Sequence, residues 1–383
     1  MNSKLVTQVK HKFEENFNAK PIMVFAPGRI NLIGEHTDYN EGFVFPAAVD
    51  KGIVMAVSKT TRASSTAIAL DLNESYDFEM KNLQPLADGG WRNYIIGITA
   101  EIQKLGIQVP AYQCAFSGDI PNGAGMSSSA ALENSLVFAL NELFHFGLTK
   151  TQMIRISQLA EHNFAGVKCG IMDQYASMFG EENSALLLDC RTLKSKTFSI
   201  DFRDYQLLLI NSNVKHELSE SAYNDRRAVC EKVCKDLHIK ALRDASLEML
   251  TSHKEQMSPT DFEKVSYVVE ENHRVLRFSE AIENDDLKAL GQLIYDSHEG
   301  LSTKYQVSCK ELDFLVNQTK GNNKILGARM MGGGFGGCTI NIIHKDAIDS
   351  FSKEIQKKFK KEFDYDCSVY RVRLEKGTRL IEV

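Results

Sequence analysis

Between Pro121 and Asn134 the chain reads PNGAGMSSSAALEN, and this stretch restricts the local backbone more than any other. Gly123 and Gly125 carry no Cβ, so the loop can bend tightly and bring its backbone close to a ligand. Ser127, Ser128 and Ser129 follow, each with a hydroxyl that can cap a helix or touch an oxyanion. The next residues are helix formers, with Leu132, Leu136, Ala139, Leu140 and Leu143 at helical spacing. A glycine-rich loop that opens a helix offers free N–H groups and the positive end of a dipole. That arrangement suits an anion, phosphate best of all. The same letters also describe an ordinary turn ahead of a core helix.

Three other segments are too polar and too rich in glycine to be plain connectors. Ala26 to Gly42 reads APGRINLIGEHTDYNEG and crowds Arg29, Glu35, His36 and Asp38 around apolar Ile30, Leu32 and Ile33. As a solvated loop this would hold only a surface ion pair. Anchored by a buried strand, it suits a ligand rich in hydroxyls, because carboxylates accept hydrogen bonds from them and imidazole can serve either way. Ala160 to Ser177 places Glu161 late in one helix and Asp173 early in the next. Such a pair can divide the holding of Mg²⁺ and the handling of a proton, or be two structural acids at helix ends. Ala328 to Cys338, ARMMGGGFGGC, has glycines at five of six successive positions. Its Met330, Met331, Phe335 and Cys338 make it too apolar for a linker, so close approach to a ligand or another loop is expected.

The remaining chain alternates helical and strand patterns. Leu5, Val6, Val9, Phe13 and Phe17 give an amphipathic first helix ended by Pro21. IMVFAP, FVFPAAV, GIVMAVSKT, STAIALDL and YDFEM read as short strands of a mostly antiparallel sheet. NYIIGITAEIQKLG is a helix closed by Gly106, and TQMIRISQLAEHNF one capped by Thr149 or Thr151. The polar stretch from Arg191 to Ser199 reads as a linker. Beyond it come a strand, YQLLLINSNV, and a long helical region from about Ala222 to Leu301. The strand TINIIH, the helix DSFSKEIQKKFKKEF and the strand CSVYRVRL follow. The pattern is α+β, with mixed and antiparallel sheets in two lobes divided as 1–190 and 191–383.

A length of 383 residues favours two domains. The net charge of −5 argues against a grip on nucleic acid or an anionic membrane, and no apolar run is long enough to span a bilayer. The first residues have no apolar signal core, so no export peptide is expected and the cytoplasm is the expected compartment. Eight cysteines then read as reduced thiols, mostly small buried apolar residues. No GxxxxGK[ST], no protein-kinase HRD or DFG set and no Rossmann GxGxxG after a strand is read in the sequence.

Three of these segments, GRINLIGEHTDY, PNGAGMSSSAALE and RMMGGGFGGC in this order, resemble the three signature motifs of the GHMP small-molecule kinases, the second being the phosphate loop. GRINLIGEHTDY (Gly28 to Tyr39) is similar to the first motif as the galactokinase branch carries it, and CGIMDQ, SAYNDRR (Ser221 to Arg227) and YQVSCKELD (Tyr305 to Asp313) also resemble that branch. The resemblance spans about residues 20 to 340. It implies a two-lobe GHMP kinase fold with the active site in the cleft between the lobes. It implies phosphorylation of the anomeric 1-hydroxyl of α-D-galactose by MgATP, giving galactose 1-phosphate and ADP, as an opening step of galactose catabolism.

Carried over position by position, Glu35, His36 and Asp38 would bind galactose hydroxyls, with the Gly170 backbone and Tyr223. Asp173 would be the candidate base, and Arg29 would reach the reacting hydroxyl and the γ-phosphoryl group. Gly123, Ala124, Gly125, Met126, Ser127, Ser128 and Ser129 would cradle the ATP phosphates. Ser129 and Glu161 would hold Mg²⁺, and Trp91 would lie near adenine. A monomer acting on ATP and galactose is expected. Glu41, Met126 and residues 299–304 depart from the family pattern, but none of these departures touches an assigned catalytic or sugar contact. A related kinase for N-acetylgalactosamine or L-arabinose is the nearest competing reading; a non-catalytic sugar and ATP sensor is a more distant one, because the serines and Asp173 are intact.

Overall fold

Leu5, Val6, Val9 and Phe13 are the buried face of the helix Ser3–Phe17, as their spacing predicts. Asn2 caps its start, and Asn18 ends it in a left-handed conformation before Pro21. The helix packs on one side of a six-stranded sheet, where its apolar face meets Met23, Phe25, Val54 and Ala56. The structure is a computed structural model and describes residues 1–214 and 219–382.

That sheet is built on two long neighbours, Ile22–Asn31 and Pro46–Lys59, paired antiparallel. The first strand runs on through Pro27 and Gly28, with a register shift between Pro27 and Arg29. Its amide at Arg29 donates to the Met126 carbonyl at 3.0 Å, which carries the strand to the serine loop. FVFPAAV and GIVMAVSKT, expected as separate strands, are mostly one: Pro46 to Lys59 is continuous. Tyr112–Gly118 pairs antiparallel with Pro46–Lys59 and parallel with Ser64–Ala69. Glu74–Glu79 forms one edge. The other edge is Arg379–Leu380, from the far end of the chain, on Val24 and Phe25.

The helices Trp91–Lys104, Ser128–Phe144, Lys150–Ala160 and Met172–Phe179 share one hydrophobic cluster with the second face of that sheet. Thr149 caps Lys150–Ala160, with Gln152 completing a reciprocal capping box. A second sheet is wholly antiparallel, in the order Ile325–Met330, Cys338–His344, Tyr205–Asn211, Ser368–Arg371. The helix Ile348–Phe363 buries Ile348, Phe351, Ile355 and Phe359 near it and leaves its lysines on the opposite side.

Residues 191–199 are not a linker. Lys194–Ser199 is a strand paired in full with Ser184–Asp189, and Phe43–Val44 completes a three-stranded sheet. Only Phe198 of that strand is buried, so its sequence lacks an apolar alternation. The long helical region is likewise divided, into Ser219–Asp236, Leu247–Ser252, Pro259–Glu283 and Leu287–Glu299. Between the two halves lies one continuous apolar floor. It joins Ile30, Leu32, Ile33, Ala124 and Met126 to Met331, Cys338 and Ile340.

Candidate active site

The three glycine-rich segments meet above this floor. In the first, the turn at Gly34 has φ 99°, and its amide donates to the buried Glu271 carboxylate at 2.9 Å. That turn leads Glu35, His36 and Asp38 into a cavity of about 130 Å³, which Arg29, Glu161, Asp173 and Tyr223 also line. The far wall is Gly332 and Gly333 of the third segment. Seven residues singled out in the sequence therefore share one cavity, although they lie as far apart as positions 29 and 223.

Arg29 grips Asp173 with both arms of its guanidinium, Nε to Oδ1 at 2.8 Å and Nη2 to Oδ2 at 2.8 Å. Its Nη1 donates to the Gly125 carbonyl at 2.5 Å, which ties the first motif to the serine loop. Burial opposes the charge on Arg29, but Asp173 and Glu35 outweigh it and hold the guanidinium above its ordinary pKa. The Ser127 hydroxyl also donates to Asp173, at 2.7 Å to Oδ2. Ser127 stands at the start of the helix Ser128–Phe144 with φ 57° and makes no side-chain cap. Its hydroxyl is directed to the acid instead of to the helix, which removes the capping reading for this serine.

Asp38 lies against Gly170 so closely that a Cβ there would come within 1.9 Å of Oδ2. Any larger residue at 170 would push the carboxylate out of place. Burial and then the charge of Asp173 push the Asp38 carboxyl up to about 7. Glu35 is held on the other side of the cavity, where Oε1 accepts from the Gly332 amide at 2.7 Å and from Arg329 at 3.1 Å. His36 has both ring nitrogens engaged, Nδ1 with the Tyr39 hydroxyl at 2.9 Å and Nε2 with the Gly333 carbonyl at 3.2 Å. Burial, with the charges of Arg226 and Arg329, drives the imidazole down to about 3, against the pull of that carbonyl.

The serine loop has left-handed φ values at Gly123, Gly125 and Ser127. Ala124 and Met126 point into the apolar floor, so only their backbone faces outward chemistry. Gly125 and Gly332 lie side by side, and a Cβ on Gly332 would be in ordinary contact, 3.4 Å, with the Gly125 carbonyl. What calls for glycine at both positions is the left-handed backbone, φ 65° at Gly125 and 83° at Gly332. Behind the loop, Glu161 accepts from Ser129, Cys169 and Gln174, and burial followed by the charge of Asp173 raises it to about 7. Trp91 is outside the residues that line the cavity; its indole N–H donates to Glu74 at 2.7 Å and its ring meets Tyr76 and Phe116 edge-on.

Sequence reasoning passed over two residues at this site. Arg329 is fully buried, and its guanidinium donates to the Leu32, Asn31 and Met330 carbonyls as well as to Glu35. Glu133, also fully buried, shares the Gln174 amide with Glu161, and its Oε1 has no partner. An acid among Leu132, Leu136 and Leu140 on one helix was the available signal for Glu133. Arg329 had none, since Asn31, Leu32 and Glu35, its partners in the first segment, are almost 300 residues away.

Family models match in three places. A galactokinase galactose-binding signature covers residues 11–59, the GHMP kinase N-terminal domain 93–181 and the GHMP kinase C-terminal domain 278–361. A galactokinase of Thermotoga petrophila is 40% identical over 358 residues, covering 94% of this chain and 99% of that protein. One from Clostridium beijerinckii is 38% identical over 365 residues, covering 93% and 94%. The crystal structure of Lactococcus lactis galactokinase complexed with galactose superposes with a TM-score of 0.93 at 31% identity, covering 97% of this chain and 98% of that one. Methanococcus jannaschii mevalonate kinase shares the fold at a TM-score of 0.66 and 18% identity, covering 93% and 99%.

Proposed function

Because the chain belongs to the galactokinases of the GHMP kinase family, we propose that its cleft transfers the γ-phosphoryl group of MgATP to the anomeric 1-hydroxyl of α-D-galactose. The products are galactose 1-phosphate and ADP. The observation that carries this reading is one cavity shared by the hydroxyl-binding set Glu35, His36 and Asp38 and the Arg29–Asp173 pair, beside a loop of left-handed glycines. A coupled assay on galactose, N-acetylgalactosamine, L-arabinose and glucose tests it. Galactose is expected to have the highest kcat/KM, with a ³¹P resonance of a 1-phosphate; preference for another sugar would overturn the assignment.

In phosphoryl transfer the protein mainly positions the reactants and stabilises charge on the transferring group. A carboxylate offers about four acceptor sites. Arg29 fills two on Asp173 and Ser127 a third, which leaves room for one more donor. The sugar 1-hydroxyl is that donor, and Asp173 aims its oxygen and takes up its proton as the new bond forms. Arg29 keeps a fixed positive charge beside the transferred group. The amides of residues 123–129, apart from that of Ala124, which donates to the Pro121 carbonyl at 3.2 Å, hold the phosphates, assisted by the Ser128 hydroxyl, which is exposed at the start of the helix. Tyr223 and the Gly170 backbone close the sugar pocket, and Trp91 borders the adenine side.

The hydrogen-bonded pair Ser129 and Glu161 suits Mg²⁺: an oxygen donor set, with Glu161 crowded by the negative charge of Asp173. Among the described residues no group of three or more His, Cys, Asp and Glu side chains is placed to hold a metal ion. The remaining ligands would come from phosphate oxygens and water. When bound, the ion neutralises charge on the phosphates. Every residue given a role here comes from one chain, so the proposed unit of activity is the monomer. Eight free cysteines support a reducing, cytoplasmic compartment, and among the described residues no helix is long and apolar enough to cross a membrane.

Asp38 gives this reading a pH signature. Its ionised form accepts sugar hydroxyls, and its carboxyl titrates at about 7 in the free protein. Below that pH binding must first remove a proton, so galactose affinity, measured without nucleotide, falls by up to tenfold per pH unit from 7 to 5.5. Above it the affinity is flat. His36, driven to about 3, contributes nothing in this window. Calorimetric titration of wild type and Asp38→Asn checks this: the variant binds weakly and without the slope, and a slope that survives in it refutes the assignment.

A further inference from the structure

His36 sits at the end of a line of hydroxyls, Tyr39 from the first motif and Tyr305 from the head of YQVSCKELD, that has so far been given no role. Its Nε2 lies 3.2 Å from the Gly333 carbonyl, which can only accept. Nε2 therefore carries the proton, and in the neutral ring Nδ1 is left as an acceptor. Tyr39 spends its single O–H on Nδ1 at 2.9 Å. The contact between the Tyr39 and Tyr305 hydroxyls, at 2.6 Å, must then be donated by Tyr305. Behind Tyr305 the Cys230 sulfur stands 3.6 Å from its hydroxyl, a weak donor to the oxygen. Every hydrogen bond in the line runs one way, from Cys230 toward Gly333.

We propose that Tyr39 and Tyr305 are positioning residues that fix His36 as an Nε2–H donor to a sugar hydroxyl oxygen. This rests on the reading of His36 as a sugar contact. Both His36 and Gly333 line the cavity, so a hydroxyl oxygen placed there takes over or shares the proton now given to the carbonyl. The consequence is a selective one: a ligand atom at this point must accept. A group that can only donate meets the N–H head-on, whereas a freely tautomerising histidine would accommodate either. The backbone supports the same fixity. His36 adopts φ 65°, uncommon for a residue with a Cβ, and its ring is wedged against Tyr305, Tyr223 and Tyr39 at centroid distances of 4.9, 5.5 and 5.8 Å. Tyr305 is itself fully buried and anchored through its carbonyl, which accepts from Arg226 Nε at 3.0 Å.

Long-range ¹H–¹⁵N correlation on the sugar-free wild-type protein reads the tautomer directly, with the His36 signal identified by its loss in His36→Ala. A protonated Nε2 and a bare Nδ1 are expected; an Nδ1–H tautomer overturns the proposal. In kinetics, Tyr39→Phe raises the KM for galactose about five- to tenfold, the scale of one lost hydrogen bond, with kcat within about twofold and the KM for ATP unchanged. In a His36→Ala background the same substitution has no further effect, because the residue it acts through is gone. An equal loss in both backgrounds marks a merely structural tyrosine and defeats the proposal. If wild type does not bind galactose at all, the sugar-site reading is what fails, and the nitrogen shifts still decide the direction of the line.

Discussion

Asp173→Asn lowers kcat by about 10³-fold and leaves the affinity for ATP within about twofold of wild type. The substitution keeps the shape of the side chain but replaces one acceptor oxygen with an NH₂ group. Whichever way the amide turns, a donor then faces a donor: Arg29 Nε, or the two groups Arg29 Nη2 and Ser127 that share Oδ2. Arg29 loses its counter-charge, and the sugar oxygen loses the acceptor that aims it. Both losses belong to the transition state, so they appear in kcat more than in nucleotide binding. Single-turnover quench-flow with fluorescence titration of ADP and ATP separates the two quantities. A kcat within tenfold of wild type would remove Asp173 from the reaction. The Asp173 side chain is about a quarter exposed but its partner Arg29 is buried, so the variant is expected to fold with a melting temperature lowered by several degrees, and the kinetics are read well below it.

The same carboxylate shows how much of the site was legible in the sequence. Glycine runs, a run of serines and an acid near a helix start are local features, and they mark where a ligand can approach. Their meeting is not local. Nothing in PNGAGMSSS says that the Gly125 carbonyl accepts from Arg29, or that Ser127 turns away from its helix to meet Asp173. Elements were read well where an apolar face repeats, as in Ser3–Phe17 and Ile348–Phe363. They were misread where a strand has no such face. Lys194–Ser199 is an edge strand with one buried side chain, so its polarity resembles that of a linker. Asp50, Lys51 and Gly52 look like a break between two strands, yet the strand passes through them because Asp119 accepts from the Gly52 amide at 2.8 Å. The destination of the last strand was beyond reach of any pattern, since two residues on Val24 and Phe25 decide it.

Glu41 illustrates the reverse case, a departure from the family pattern that structure explains. It occupies a left-handed position with φ 57°, where glycine would be unstrained. Its carboxylate is bound by Arg191 at 2.6 Å and Lys240 at 3.0 Å, and Arg191 continues to Asp244. A network that joins the sugar loop to the helical half of the chain offsets the cost of the backbone, on the order of 1 kcal/mol. The first motif is therefore held from outside by charges as well as from below by apolar packing.

Arg329→Met tests the support of that motif from within. The arginine is completely buried and spends its donors on Glu35 and on three carbonyls, those of Leu32, Asn31 and Met330. Methionine fills much of the volume but satisfies none of them. Removing one partner of a buried ion pair leaves the other charge uncompensated, a loss of about 3–5 kcal/mol. A fall of the melting point by several degrees follows. Glu35 keeps the Gly332 amide alone and no longer has a fixed place in the sugar pocket. The KM for galactose is then expected to rise at least tenfold while the KM for ATP changes little, because Arg329 touches the first motif and not the serine loop. Arg329→Lys restores the charge without the planar fork and recovers only part of either loss. Differential scanning calorimetry with steady-state kinetics on both variants decides the matter: a methionine variant with wild-type stability and wild-type sugar KM would show that the buried cation supports neither lobe nor site.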